Sequence, residues 1–185
     1  MIAWARRYVR AHPGRAALLA TTGLVMAVAG FIWFEPHKLF IDERIDEGLP
    51  AAATRTSPAA PAASPSEEPA PPPSTLAQGS FRSLEHRTTG VARIVELPDG
   101  GLVLRFEGLD TSNGPDLRVY LSEIPAGDDW HAYGERFVDL GDLKANQGNQ
   151  NYDIPRGTDL SAVRSAVIWC RRFEVGFGVA GLRVR

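Results

Sequence analysis

Ala16 to Phe34 is a run of nineteen residues without a single charge, and Arg6, Arg7, Arg10 and Arg15 stand immediately before it. A helix at the surface of a soluble domain needs a polar face, and this run has none to offer. As a helix it would span about 28 Å at about 1.5 Å per residue, close to a bilayer core of about 30 Å. Glu35, Asp42, Glu43, Asp46 and Glu47 follow it. With the basic residues on the N-terminal side, the positive-inside rule places the N-terminus in the cytoplasm and the remainder outside. Trp33 and Phe34 stand where an interfacial aromatic anchor would help. A cleaved signal peptide is the rival reading, because Ala27-Val28-Ala29 fits the small-residue cleavage pattern. Phe31 to Phe34 carry the apolar run past that point, which favours an uncleaved signal anchor. Residues 1–34 therefore read as a basic cytoplasmic tail and a transmembrane signal anchor. The expected localisation is a cell membrane, crossed once, with the C-terminal part extracytoplasmic.

Residues 35–75 read as a neck and a linker. Leu39, Phe40, Ile41, Ile45 and Leu49 recur at near-helical spacing, which suits a short helix lying at the membrane surface; a solvated charged neck fits equally well. Residues 50–75 hold eight Pro and eight Ala among 26 positions. Such a composition buries too little apolar area to offset chain entropy, so it reads as disordered. At about 3.1 Å per residue in extended form it could hold a domain up to about 80 Å from the bilayer.

Residues 76–185 form the third segment, with 13 Lys+Arg against 15 Asp+Glu. About 110 residues suffice for one hydrophobic core. Leu102, Leu104 and Phe106 alternate with Val103, Arg105 and Glu107, the period-two mark of a half-buried strand. Pro98-Asp99-Gly100-Gly101 is a turn sequence, so 91–97 and 102–107 read as a hairpin. Further strands are expected at 80–86, 117–122, 136–140, 150–154, 165–170, 173–177 and 180–184. The fold class is thus all-β, an antiparallel β-sandwich or partly closed barrel of about 8–9 strands. Around Arg171-Arg172 two geometries are open. A tight reversal would put Ala166, Ile168, Cys170, Phe173, Val175 and Phe177 on one apolar face and Trp169 on the other. Arg-Arg is a poor two-residue turn, so a bulge or longer loop is the alternative.

The net charge of −2 argues against an electrostatically driven nucleic-acid binder. Arg outnumbers Lys so heavily (only Lys38 and Lys144 are lysines) that, with the abundant Ala and Pro, a GC-rich bacterial genome is indicated. Cys170 is the one cysteine, so neither an internal disulfide nor a Cys-based zinc cage can form. A thiol conducts redox chemistry through its thiolate, which a neighbouring cation stabilises. Cys170 is therefore the candidate redox thiol and Arg172 the candidate thiolate stabiliser, with a sulfenic acid or a mixed disulfide as accessible states. The plain alternative is a cysteine packed as a small hydrophobe. No metal site is expected. Blue copper wants a Cys, two His and usually a Met; the domain has His86 and His131 but no Met, and no spacing supports haem. No cofactor is therefore assigned. Asp116, after Gly114-Pro115, could be a functional carboxylate, with closure of a turn through its own backbone hydrogen bonds the favoured reading. Asp139, Asp142, Asp153 and Asp159 fall in no calcium-loop pattern. Trp130, Tyr133, Tyr152 and Trp169 could build a glycan-stacking platform. Phosphate-loop, nucleophile-elbow and zinc-protease motifs do not occur, so whether the chain is an enzyme stays open.

Several stretches fall in a telling order. They are Thr89-Gly90-Val91-Ala92, the Leu102–Phe106 strand, Gly114 to Ser122, Val138 to Lys144, Gly148 to Tyr152, and finally VIWCRRFEVGFGVAGL, Val167 to Leu182. Residues 76–185 thereby resemble the DM-thirteen domain, a family labelled as electron-transfer, in its bacterial membrane-anchored form. The resemblance implies an extracytoplasmic β domain with a redox role centred on the cysteine, acting on a redox partner protein. The competing expectation is a non-enzymatic binding module for envelope polysaccharide or an exported protein, with Cys170 structural.

Overall fold

A computed structural model of the chain describes residues 10–34, 42–50 and 72–184. The expectations for Arg6 and Arg7, for residues 35–41 and for the Pro/Ala-rich stretch 51–71 lie outside the described residues. Those for Trp33 and Phe34 as anchors lie outside the described side chains.

The uncharged run forms helix α1, Pro13–Phe34. Proline suits its first turn because the missing N–H would have no intrahelical partner there. The helix is long and apolar enough to cross a bilayer, and none of its apolar stretch is buried in the protein.

The remainder is β. Ten strands form a single sheet: β1 Arg44–Asp46, β2 Ser74–Ser83, β3 Thr88–Glu96, β4 Leu102–Thr111, β5 Leu117–Ser122, β6 Phe137–Asp142, β7 Gln147–Asp153, β8 Ser165–Cys170, β9 Val175–Gly181 and β10 Arg183–Val184. The order is β1-β7-β4-β3-β2-β9-β8-β5-β6, with β10 pairing to β2, and the sheet curls into a half-barrel. This is the partly closed form of the expected fold.

The expected hairpin is β3–β4, with Ile94 opposite Leu104 and Val95 opposite Val103. Its turn closes through Leu97 N–H to the Gly101 carbonyl at 2.8 Å and Gly101 N–H to Asp99 Oδ1 at 3.0 Å. Phe81, Phe106, Ile168 and Phe177 meet on the inner, concave face, where Phe81 and Phe106 pack edge to face at 5.0 Å. A second apolar group of Tyr120, Tyr133, Val167, Trp169 and Val179 lies on the opposite face. The segment around the 3-10 turn Ala132–Gly134 supplies Tyr133 and Ala132 to it. All six residues of β8 are buried because both of its faces are covered.

Two expectations change. Residues 173–177 and 180–184 resolve into β9, Val175–Gly181, and the short β10, Arg183–Val184, and Arg171 to Glu174 make a four-residue turn, the longer of the two open geometries. Cys170 pairs with Val175, Trp169 with Gly176 and Ile168 with Gly178, so Phe177 is an extra residue in the ladder. That bulge keeps Phe177 on the inner face with Val175, while Phe173 leaves the ladder and is 53% exposed.

The second change concerns the neck. Residues 44–46 are not helical: β1 runs parallel to β7, with Arg44 opposite Gln147 and Asp46 opposite Asn149. Glu47 N–H continues the pairing to the Asn149 carbonyl at 2.9 Å.

Candidate functional site

Cys170 ends β8, where β5 places Leu117 opposite it. Its side chain is fully buried (0% exposed) within the inner core. Burial, the largest influence, pushes the thiol above its ordinary pKa. The backbone N–H groups of Phe173 and Arg172 pull the other way, and so does that of Asp116, whose carboxylate in turn opposes a thiolate. The amides that favour the thiolate thus come from the turn after β8 and from the loop before β5, and burial outweighs them.

The turn itself is tied down on its N-terminal side. Arg171 N–H donates to the Asp116 carbonyl at 2.9 Å, and Arg171 Nε reaches Asp116 Oδ2 at 3.3 Å. Glu174 at its other end holds φ +55°, a costly conformation for a residue with a Cβ. Arg172, half-buried in the turn, contributes its backbone N–H to the sulfur. Asp116 and Leu117 also line a cleft of about 410 Å³ together with Asn113, Gly114, Asp142 and Asn146. The sequence singles out Cys170 and Arg172, which the structure places at the end of β8 and in the turn after it; the β5–β8 register brings Asp116 beside them, and no local pattern links position 116 to position 170.

The chain belongs to the DM13 family. The family model described as electron transfer DM13 matches residues 80–182, more than half of the chain. No curated protein and no solved structure matches it. The DM13 match spans β2 to β9, and so includes Cys170, Asp116 and the turn between β8 and β9.

The other sequence candidates disperse over the DM13 domain. His86 stacks on Phe177 with ring centres 3.9 Å apart, and His131 Nδ1 meets the Glu174 carbonyl at 3.0 Å. Asp139 and Asp142 both engage Arg118, whereas Asp159 binds its own turn through Ser161. Among the described residues no three His, Cys, Asp or Glu side chains gather as metal ligands. The four-residue aromatic platform does not form: Tyr152 packs with Phe106 in the inner core, while Tyr133 and Trp169 are buried on the other face. Trp169 instead lines a cleft of about 430 Å³ with Tyr120, Phe137, His131, Arg171 and Glu174. There Tyr120 and Phe137 stack at 3.9 Å.

Proposed function

We propose that this DM13 domain is a membrane-tethered, extracytoplasmic redox module whose working atom is Cys170 Sγ. The observation carrying this reading is the place of Cys170, the one cysteine of the chain, at the end of β8 directly before the turn 171–174 and within the residues that the electron transfer DM13 model matches. The chemistry is thiol–disulfide exchange with an exported partner protein. The turn 171–174 opens and Cys170 loses its proton to solvent. The thiolate attacks one sulfur of the partner's disulfide: a new S–S bond forms, the old one breaks and the partner's second sulfur leaves as thiolate. The partner's disulfide is the oxidant, so no other acceptor is required. Helix α1 supplies the tether, with the basic residues before it holding the N-terminus in the cytoplasm.

The test compares two processes in the same protein. The reaction of Cys170 with a small aromatic disulfide is followed against urea, beside global unfolding followed by tryptophan fluorescence. Exchange should depend on urea more weakly than unfolding does, with near-native fluorescence once the mixed disulfide has formed. Equal urea dependence would mean that the thiol reacts only from the unfolded chain, and would overturn the proposal.

A second reading is favoured by a different observation, the aromatic cleft beside Trp169. A binding module for envelope polysaccharide would stack sugar rings against Phe137, the most exposed ring of the stack, with Cys170 as core packing. Titrating envelope polysaccharide into the protein should then quench tryptophan emission, and Phe137→Ala should abolish the quenching. No spectral change on saturation would remove this reading.

A further inference from the structure

The strand β1 lies on the membrane side of the Pro/Ala-rich stretch in the sequence, yet the sheet uses it as its edge. It is fixed by more than its ladder. Glu43 N–H donates to Asn146 Oδ1 at 2.7 Å, and Asn146 Nδ2 donates to Asp42 Oδ1 at 2.8 Å. Arg105 Nη1 donates to the Glu47 carbonyl at 3.0 Å, and Asn151 Nδ2 to the Gly48 carbonyl at 2.7 Å. The Glu47 carboxylate takes Lys144 Nζ at 2.8 Å and Asn151 N–H at 2.7 Å. Asn146, Arg105 and Asn151 are all buried side chains of the sheet. Removing residues 42–48 would deprive each of them of a partner, the costly half of a buried hydrogen bond. At the closest approach Gly148 has no side chain: a Cβ there would sit 2.0 Å from the Ile45 carbonyl oxygen.

We infer that residues 42–49 are an integral part of the folded domain, so that the domain hangs from α1 by residues 35–41 alone. The Pro/Ala-rich stretch is then a loop that leaves β1 and returns to β2. It is not the spacer between membrane and domain. Seven residues reach at most about 25 Å, against the about 80 Å that the Pro/Ala stretch would permit. This inference rests on the reading of α1 as an uncleaved membrane span.

Two measurements on the full chain in phosphatidylcholine vesicles test it. A water-soluble carbodiimide should join the Glu47 carboxylate to the Lys144 amine. The product is a single isopeptide located by mass spectrometry, and it should be absent from Lys144→Arg, which keeps the charge but not the reactive amine. Second, the height of the domain above the bilayer is read by energy transfer from a dye at Asp99→Cys to labelled lipid. Deleting residues 55–68 should leave the height unchanged, whereas inserting fourteen Gly/Ser residues after Lys38 should lower transfer several-fold. No Glu47–Lys144 isopeptide, or a domain brought closer to the bilayer by the 55–68 deletion, would overturn the inference. A chain that gives the isopeptide but does not float with vesicles would overturn the membrane span, and with it the tether, while leaving β1 in the domain.

Discussion

At Cys170 burial outweighs the three amides that favour the thiolate, so the folded chain holds this proton more tightly than the unfolded chain. The stabilisation this represents is complete below the ordinary thiol value of about 8.5 and is lost as pH rises through the folded value. Urea unfolding above about pH 8.5 should therefore show stability falling with pH. Cys170→Ala should flatten that arm, at a cost at neutral pH set by the methyl-sized gap left in the core. The raised phenols of Tyr120, Tyr133 and Tyr152 act at higher pH, which keeps the two effects apart. The residue was conspicuous in the sequence as the one cysteine, set between tryptophan and two arginines. Its amide partners were not, since two of them are backbone groups in the turn and the third is more than fifty positions away.

Among the elements, the strands whose faces differ were legible. Alternation in 102–107 and 117–122 located β4 and β5, and the Pro98–Gly101 turn located β3 as the hairpin partner of β4. Two features escaped. The bulge at Phe177 slips the parity within an all-apolar stretch, where alternation carries no information. β1 has only three residues, and its partner is a strand about a hundred positions later, so no local pattern could announce it. β9 also depends on a close approach: a Cβ on Gly178 would sit 2.5 Å from Thr88 Cβ and Cγ2. The Thr88 hydroxyl is held there by Thr111 Oγ1 at 2.8 Å and by the Phe177 carbonyl at 3.2 Å. Gly178→Ala should cost about 1–3 kcal/mol through overpacking, read as a lower urea midpoint with an unchanged slope.

For the whole molecule, charge and proline content divide the sequence into an apolar run, a Pro/Ala-rich stretch and a β domain, but they do not reveal that residues 44–46 join the sheet. Composition assigned Asp42 to Gly48 to the neck because they are rich in charge; in the structure the Glu47 carboxylate takes Lys144 and the Asn151 N–H, and the Asp42 carboxylate takes Asn146. Burial pushes the Glu47 carboxyl upward, yet the hydrogen bonds from Lys144 and Asn151 and the charges of Lys144 and Arg105 hold it below the ordinary value. Its contribution is therefore present above an unfolded value of about 4.3 and is lost as pH falls through the folded one. Hydrogen exchange at the Asn151 amide, corrected for its intrinsic rate, should show protection falling below about pH 4 while amides of β8 stay protected. The two ends of the sheet also differ from an ordinary open edge. One is β1, only three residues long; the other, β6, is short, carries Gly141 at φ +111° and sets Asp139 and Asp142 against Arg118. Unpaired edges are where sheets recruit one another into aggregates, and short, kinked, charged strands resist this. Copies crowded together at a density no dilute solution reaches can therefore jostle side by side without zipping into fibres.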